Sequence, residues 1–411
     1  MSFHYHILSN GIRVIHKEVN SEVGHCGVFI NAGSRDEAED ESGMAHFIEH
    51  VIFKGTTKRK AYHVLNRLES VGGDLNAFTS KEETCVYASF LNEYYKRTLE
   101  LFADIIFNST FPEKEIEKEK DVVIDEIYSY KDSPSEEIFD EFEDLVYEGH
   151  PLGRNILGTK QEVKSFNRNK IIEFIKKHYY TSEMVIASVG NIPFKKLIGY
   201  IEKLFGGVAS SMGSIVRNPY QDYKPRYKKV KRNSYLSHCM IGNTAFPRKD
   251  YRKNTLILLN NILGGPGLNS RLNLNIREKY GFTYNIESNY QAYSDTGVFN
   301  IYLGTDQEYL EKTINLAFKE LKKLRDTKLG TLQLSNAKKQ FYGQLAVSYE
   351  NNLNEMLSIG KSYLLFEKVD TIKEIYNKIE SINSEDIMEC ANIVFDPKMM
   401  STLIYEAEEK Q

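Results

Sequence analysis

Cysteine is scarce in this chain. The four that occur, Cys26, Cys85, Cys239 and Cys390, lie far apart and form no C-x-x-C pair. That spacing argues against a disulfide framework and fits free thiols in a reducing compartment. A basic excess is also missing. The formal net charge is −4 and the pI about 6.3, so the electrostatic footprint of a nucleic-acid binder is absent. No apolar run approaches the length needed to cross a bilayer. The first residues, Met1-Ser2-Phe3-His4-Tyr5-His6-Ile7-Leu8, lack the basic and long apolar regions of a secretory signal. They also lack the Arg- and Ser-rich, acid-poor pattern of a transit peptide. The expectation is a cytoplasmic protein with no nucleic-acid and no membrane partner.

What is present is the composition of a globular protein, 41% apolar and 27% charged over 411 residues, enough for two or three domains. The most informative stretch is Gly43-Met44-Ala45-His46-Phe47-Ile48-Glu49-His50-Val51-Ile52-Phe53. On a helix His46 and His50 project from one face, a turn apart, and Glu49 leans over the same face. Two stacked imidazoles can hold one Zn²⁺, and a carboxylate beside them can serve as general base. The order H-x-x-E-H reverses the H-E-x-x-H of common zinc proteases and delivers the same groups. A solvated helix face is the bland alternative. The apolar neighbours Ala45, Phe47, Ile48, Val51, Ile52 and Phe53 argue against it, since buried polar clusters are costly unless paired or metallated.

Taken in order, His4 to Val19 reads as two strands joined at Asn10-Gly11, and Cys26 to Ala32 as a third. Ser42 is the expected N-cap of the histidine helix. A short helix over 60–70 follows, in which His63 has no partnered spacing and reads as an ordinary histidine. Strands are expected at 74–79 and 84–90, helices at 92–108 and 113–130, a single helix at 160–178, a strand at 184–189 and a helix at 193–205. The helix over 113–130 offers a third ligand. Glu119 and Glu126 share one of its faces, two turns apart, and Glu126 has the more apolar flanks (Val122, Val123, Ile124, Ile127). Geometry alone does not choose between them. Strands and helices mix without regular βαβ alternation, which gives an α+β fold.

Around residues 206–230 glycine, serine and proline accumulate. Beyond them the first half recurs. His25-Cys26 returns as His238-Cys239, and the same offset carries His46, Glu49 and His50 onto Leu259, Ile262 and Leu263. Allowing for a small insertion, Glu119 and Glu126 fall on Ala337 and Gln344. The second copy keeps an apolar helix and lacks the polar set, so in the first copy that set serves chemistry. The division expected is residues 1–212 as a catalytic domain, 213–230 as linker and 231–411 as a homologous domain. The glycines of Gly264-Gly265-Pro266-Gly267 precede no P-loop pattern and read as a flexible turn. Arg277 and Tyr284, taken alone, read as surface residues.

Together these residues resemble the pitrilysin/insulinase (M16) metallopeptidases, and most closely the two-domain branch that includes mitochondrial processing peptidase and its bacterial relatives. The resemblance spans essentially the whole chain. It rests on the H-x-x-E-H motif with Glu126 at the family's distance from it, on Phe53-Lys54-Gly55-Thr56 and on Gly72-Gly73-Asp74-Leu75-Asn76-Ala77. Gly149-His150-Pro151-Leu152-Gly153, Ser270-Arg271-Leu272 and the pair Arg277/Tyr284 extend it. The resemblance implies one Zn²⁺ per chain held by His46, His50 and Glu126, with Glu49 as general base and Glu119 as a supporting catalytic acid. It implies that Asn76 and Ala77 lie on an edge strand that accepts an extended peptide substrate, and that Arg277 and Tyr284 hold a substrate carbonyl. The implied activity is zinc-dependent endopeptidase action on short or unfolded peptides inside a chamber. Longer relatives build that chamber from four such domains, so a two-domain chain is expected to form a homodimer. The competing reading is a non-catalytic or heterodimeric scaffold subunit, as some relatives are. The intact His46/Glu49/His50/Glu126 set favours the enzyme.

Overall fold

The computed structural model describes residues 3–408. Eleven strands run β1 (His4–Ile7), β2 (Arg13–Glu18), β3 (Val23–Ile30), β4 (Asp74–Thr79), β5 (Thr84–Leu91), β6 (Met184–Gly190), β7 (Tyr227–Arg232), β8 (Ser237–Ala245), β9 (Thr283–Ala292), β10 (Gly297–Thr305) and β11 (Ser401–Ala407). The helices of the first half are α1 (Met44–Val51), α2 (Ala61–Glu69), α3 (Tyr95–Asn108), α4 (Glu113–Lys131), α5 (Pro134–Val146), α6 (Lys160–Ser165), α7 (Arg168–His178) and α8 (Phe194–Phe205). Those of the second half are α9 (Lys253–Gly264), α10 (Leu310–Asp326), α11 (Thr331–Tyr349), α12 (Asn352–Phe366), α13 (Ile372–Glu380) and α14 (Ser384–Val394).

Two sheets form, in the orders β1-β2-β6-β3-β5-β4 and β7-β11-β8-β10-β9. The second repeats the first without its outermost strand. Each has one parallel pair, β2 with β6 and β7 with β11, and is otherwise antiparallel. The duplication read from the sequence is therefore a duplication of topology, and the α+β class with two homologous units holds.

The units do not follow the linear division expected at 1–212, 213–230 and 231–411. One comprises residues up to Tyr128, Arg154–Arg217 and Ala346–Val369; the other comprises Ser129–Gly153, Asn218–Leu345 and the chain from Asp370 onward. Each half of the chain thus lends the other unit one helix. In the first unit, α1, α3 and α8 cover one face of the sheet, and α12 covers the other with Met356, Ile359, Tyr363 and Leu364. In the second, α5 covers a sheet face with Ile138, Phe142 and Val146. Strand β6 accordingly lies buried along its whole length, as an apolar run with both faces covered should.

Two expectations about local structure are corrected. The helix expected over 160–178 breaks at Phe166-Asn167, where Asn167 leaves helical geometry and its side chain caps the first N–H groups of α7. Ser42 is not the N-cap of α1. Gly43 takes that place at φ 91°, the left-handed region that glycine enters without strain. The reason is a close crossing: a side chain on Gly43 would meet the Leu157 carbonyl, and one on Gly158 the Ser42 carbonyl, at 2.6 and 2.3 Å. The last residues of the expected linker are also ordered as β7.

Candidate metal centre

Helix α1 is short, and its position comes from its neighbours. Met44, Ala45, Phe47, Ile48 and Val51 enter the core, where burial of each large side chain is worth roughly 1.5–3 kcal/mol. That leaves His46, Glu49 and His50 on the opposite edge of the helix. The long helix α4 faces them with Glu119 and Glu126. Asp74–Thr79 form the edge strand beside α1, and the Thr79 hydroxyl donates to the Ala45 carbonyl at 3.5 Å.

Three donor atoms converge. His46 Nε2 and His50 Nε2 stand 3.3 Å apart, and Glu126 Oε2 lies 3.4 Å from the second and 3.8 Å from the first. A tetrahedral ion with bonds of about 2.0–2.1 Å sets its ligands about 3.3 Å from one another. The spacing of this set fits zinc, as does its chemistry of two imidazoles and one carboxylate. Among the described residues no other three His, Cys, Asp or Glu side chains converge in this way.

The surroundings prepare the ligands. Burial, helped by the neighbouring His50, pushes His46 down to about 3, so it stays in the neutral form that a metal takes. For His50 burial works against the charged form, but the Glu119 hydrogen bond and the charges of Glu126, Glu119 and Glu49 outweigh it and raise its pKa. His50 Nδ1–H donates to Glu119 Oε1 at 3.1 Å, which turns the Nε2 lone pair toward the ligand cluster. Lys54 Nζ holds the other Glu119 oxygen at 2.7 Å. Burial alone would raise the Glu119 carboxyl, but these two partners keep it below the usual range. Glu119 is therefore engaged by His50 and Lys54 and stands outside the converging donor set.

Glu49 is half-buried on the same face of α1 and is not among the converging donors. Burial raises its pKa, against hydrogen bonds from Thr79 and the charge of His50. A carboxylate so placed can exchange a proton. Of the strand residues, Leu75 and Ala77 pack into the core shared with α1, whereas Phe78 packs on the opposite face, the face that Asn76 shares by alternation. The open edge of β4 next to Asn76 and Ala77 is main chain. Arg277 and Tyr284 belong to the second unit. Arg277 lies in a π-helical turn, Asn273–Glu278, with its guanidinium 5.3 Å from the exposed Tyr284 ring. π-helical turns are rare and gather at functional sites. The contact made by Thr79 escaped the reading of the sequence, and Lys54 entered it only within Phe53-Lys54-Gly55-Thr56, without a role at the site.

Residues 13–160 match the family described as Insulinase (Peptidase family M16), and residues 165–341 match the Peptidase M16 inactive domain. A Bacillus subtilis (strain 168) protein named an uncharacterized zinc protease, YmxG, is 34% identical over 96% of each chain. A Rickettsia felis protein, also named an uncharacterized zinc protease, is 34% identical over 90% of each. Among solved structures, a protease from Helicobacter pylori superposes with a TM-score of 0.91 over 98% of this chain and 99% of that one, at 21% identity. A Pseudomonas fluorescens structure described as a peptidase M16 inactive domain gives 0.92 over both whole chains at 19% identity. At those identities the structural likeness speaks for the fold.

Proposed function

The chain belongs to peptidase family M16, the insulinase family, and from its metal centre we propose that it is a zinc-dependent endopeptidase cleaving short or unfolded peptides bound in extended form. The observation that carries this reading is the separation of roles on α1: two histidines converge with Glu126, while Glu49 on the same face stands outside the donor set. His46, His50 and Glu126 would hold one zinc ion per chain, which when bound supplies Lewis acidity toward water and the peptide carbonyl. Glu49 takes the proton of the attacking water and returns it to the leaving amine nitrogen. Glu119 and Lys54 keep the His50 ring in orientation. The open edge of β4 pairs with the substrate main chain, so side-chain selectivity comes from adjoining pockets and is loose.

Arg277 and Tyr284 bind a substrate carbonyl, and because one chain carries both this pair and the zinc set, the working form is a homodimer in which each subunit's pair serves the other's zinc centre. A cytoplasmic location accords with the free cysteines; among the described residues no helix is long and apolar enough to cross a membrane.

The experiment is a mass-spectrometric digest of a mixed peptide library with zinc content measured in parallel. Wild type should contain one zinc per chain and cleave peptides in a chelator-sensitive way. Glu49→Gln should keep its zinc while hydrolysis falls by several orders of magnitude. Hydrolysis retained in that variant would remove the mechanism.

A further inference from the structure

Helix α1 begins without a side-chain cap, because its N-cap is Gly43. The first-turn N–H groups of a helix have no partner within it, and an eight-residue helix has little stability of its own. Glu37, six residues upstream, meets this need. One of its carboxylate oxygens accepts from the Gly43 N–H at 2.9 Å and the other from the Ala45 N–H at 2.8 Å. The side chain is buried, and its main chain is fixed in turn. Arg154 donates to the Glu37 and Ala38 carbonyls at 3.0 and 3.1 Å, and Lys81 to the Arg154 carbonyl at 2.6 Å.

We propose that Glu37 is a positioning residue for the metal centre: by gripping both N–H groups at the start of α1 it sets the helix's height and rotation, and with them the convergence of His46 and His50 on Glu126. The inference rests on the zinc reading above. His46 directly follows the gripped Ala45, and His50 and Glu49 lie on the same eight residues, so a shift of the first turn moves two ligands and the general base together. Glu126 and Glu119 stand on α4 and do not follow. The set would lose its common centre while each side chain remained in place on its own helix.

The test needs no peptide substrate. Zinc affinity is measured by competition with a chromophoric chelator, and the cobalt(II) form is examined by visible absorption, in wild type, Glu37→Gln and Glu355→Gln. Glu355 is a matched control. It is an equally buried carboxylate of the same unit, paired with Lys17 Nζ at 2.5 and 2.7 Å, on the helix that covers the other face of the sheet. Glu37→Gln turns one acceptor into a donor facing an N–H group. It should weaken zinc binding by about tenfold, the lower end of the range for a disturbed supporting shell, and change the cobalt bands. Glu355→Gln should lower the melting temperature and leave both readouts alone. Glu37→Asp, which keeps the two carboxyl oxygens with a shorter reach, should recover part of the affinity. Zinc affinity and cobalt bands of Glu37→Gln equal to wild type, or changed equally in Glu355→Gln, would overturn the inference. If Glu37→Gln does not fold, Glu37→Asp decides by the same two measurements. A wild type that binds neither metal would instead overturn the zinc reading itself.

Discussion

At the scale of single residues, the site divides into what spacing encodes and what only the fold assembles. His46, Glu49 and His50 were legible because the helical repeat fixes which side chains share a face. Glu119 and Glu126 share a face of α4 by the same rule, so spacing left two candidates for one role. The structure separates them: Glu126 joins the donor cluster, and Glu119 is engaged by His50 Nδ1 and Lys54. The substitutions should differ accordingly. Glu126→Ala removes a donor and should abolish stoichiometric zinc. Glu119→Gln should retain the site with affinity lowered about 10- to 100-fold, as for loss of a carboxylate behind a ligating histidine. Chelator competition distinguishes them, and reversed results would exchange the two roles. Glu37 carried no periodic signal, since a carboxylate reaching a helix start from an irregular turn is visible only once the chain has folded.

A second prediction at this scale concerns acid. His16 is fully buried, with Nδ1 3.2 Å from the Ser188 carbonyl and Nε2 3.0 Å from that of Ile192. Burial lowers its pKa below 6.5, and the two carbonyls only partly oppose this. The unfolded chain therefore takes up a proton at His16 before the folded chain does, and stability is lost as pH falls through the unfolded value toward the folded one. Metal-free protein should melt at progressively lower temperature below about pH 6.5. His25, His178 and His238 shift in the same direction and add to the trend. His16→Gln should flatten this acid limb in a thermal scan across pH, whatever its stability at neutral pH; an unchanged slope would show that His16 is not a contributor.

Among the elements, the helices that leave their own half of the chain were the least legible. Sequence periodicity reports that a helix has an apolar face, and it is silent on which sheet that face meets. Helix α5 was not anticipated, and the exchange of α5 and α12 broke the linear domain division. The seating of α12 is unusually close. A side chain at Gly360 would meet the Phe29 ring of β3 at 2.1 Å, and one at Gly27 would meet Met356 at 3.2 Å. Phe29 is fully buried, so its ring has little room to yield. Gly360→Ala gains helix propensity of about 1 kcal/mol but overpacks a site whose cost is typically about 1–3 kcal/mol. The net expectation is destabilisation, because the contact is far inside van der Waals distance. Chemical denaturation should show a lowered midpoint, whereas Gly343→Ala on α11, where an added side chain meets nothing within 4 Å, should be neutral or stabilising. Equal effects of the two would mean that α12 has freedom to move off the sheet.

For the whole molecule, duplication was legible because two sheets built to one plan leave matching apolar patterns in the chain. How copies of the chain cooperate leaves no such pattern, and the guide there is which functional groups the chain has retained. A heteromeric partner could supply either the zinc set or the Arg277/Tyr284 pair, and each chain could then lose the other set. This chain keeps both, as the symmetric dimer proposed above would require. Two inactive proteins make the decisive mixture. Glu49→Gln lacks the base and keeps its Arg/Tyr pair; Arg277→Ala/Tyr284→Ala lacks the pair and keeps its base. When subunits exchange, a mixed dimer with sites completed across subunits contains one site in which base and pair are both intact. Peptide hydrolysis should reappear on mixing and approach one quarter of the wild-type rate: random exchange places about half of the chains in mixed dimers, each with one working site of two. Subunits of different labels must be shown to exchange under the same conditions. Recovery at that level supports sites completed in trans. A mixture that stays as inactive as its components, despite proven exchange, would mean that each chain works with its own Arg277 and Tyr284, and a strictly monomeric, fully active protein would lead to the same conclusion.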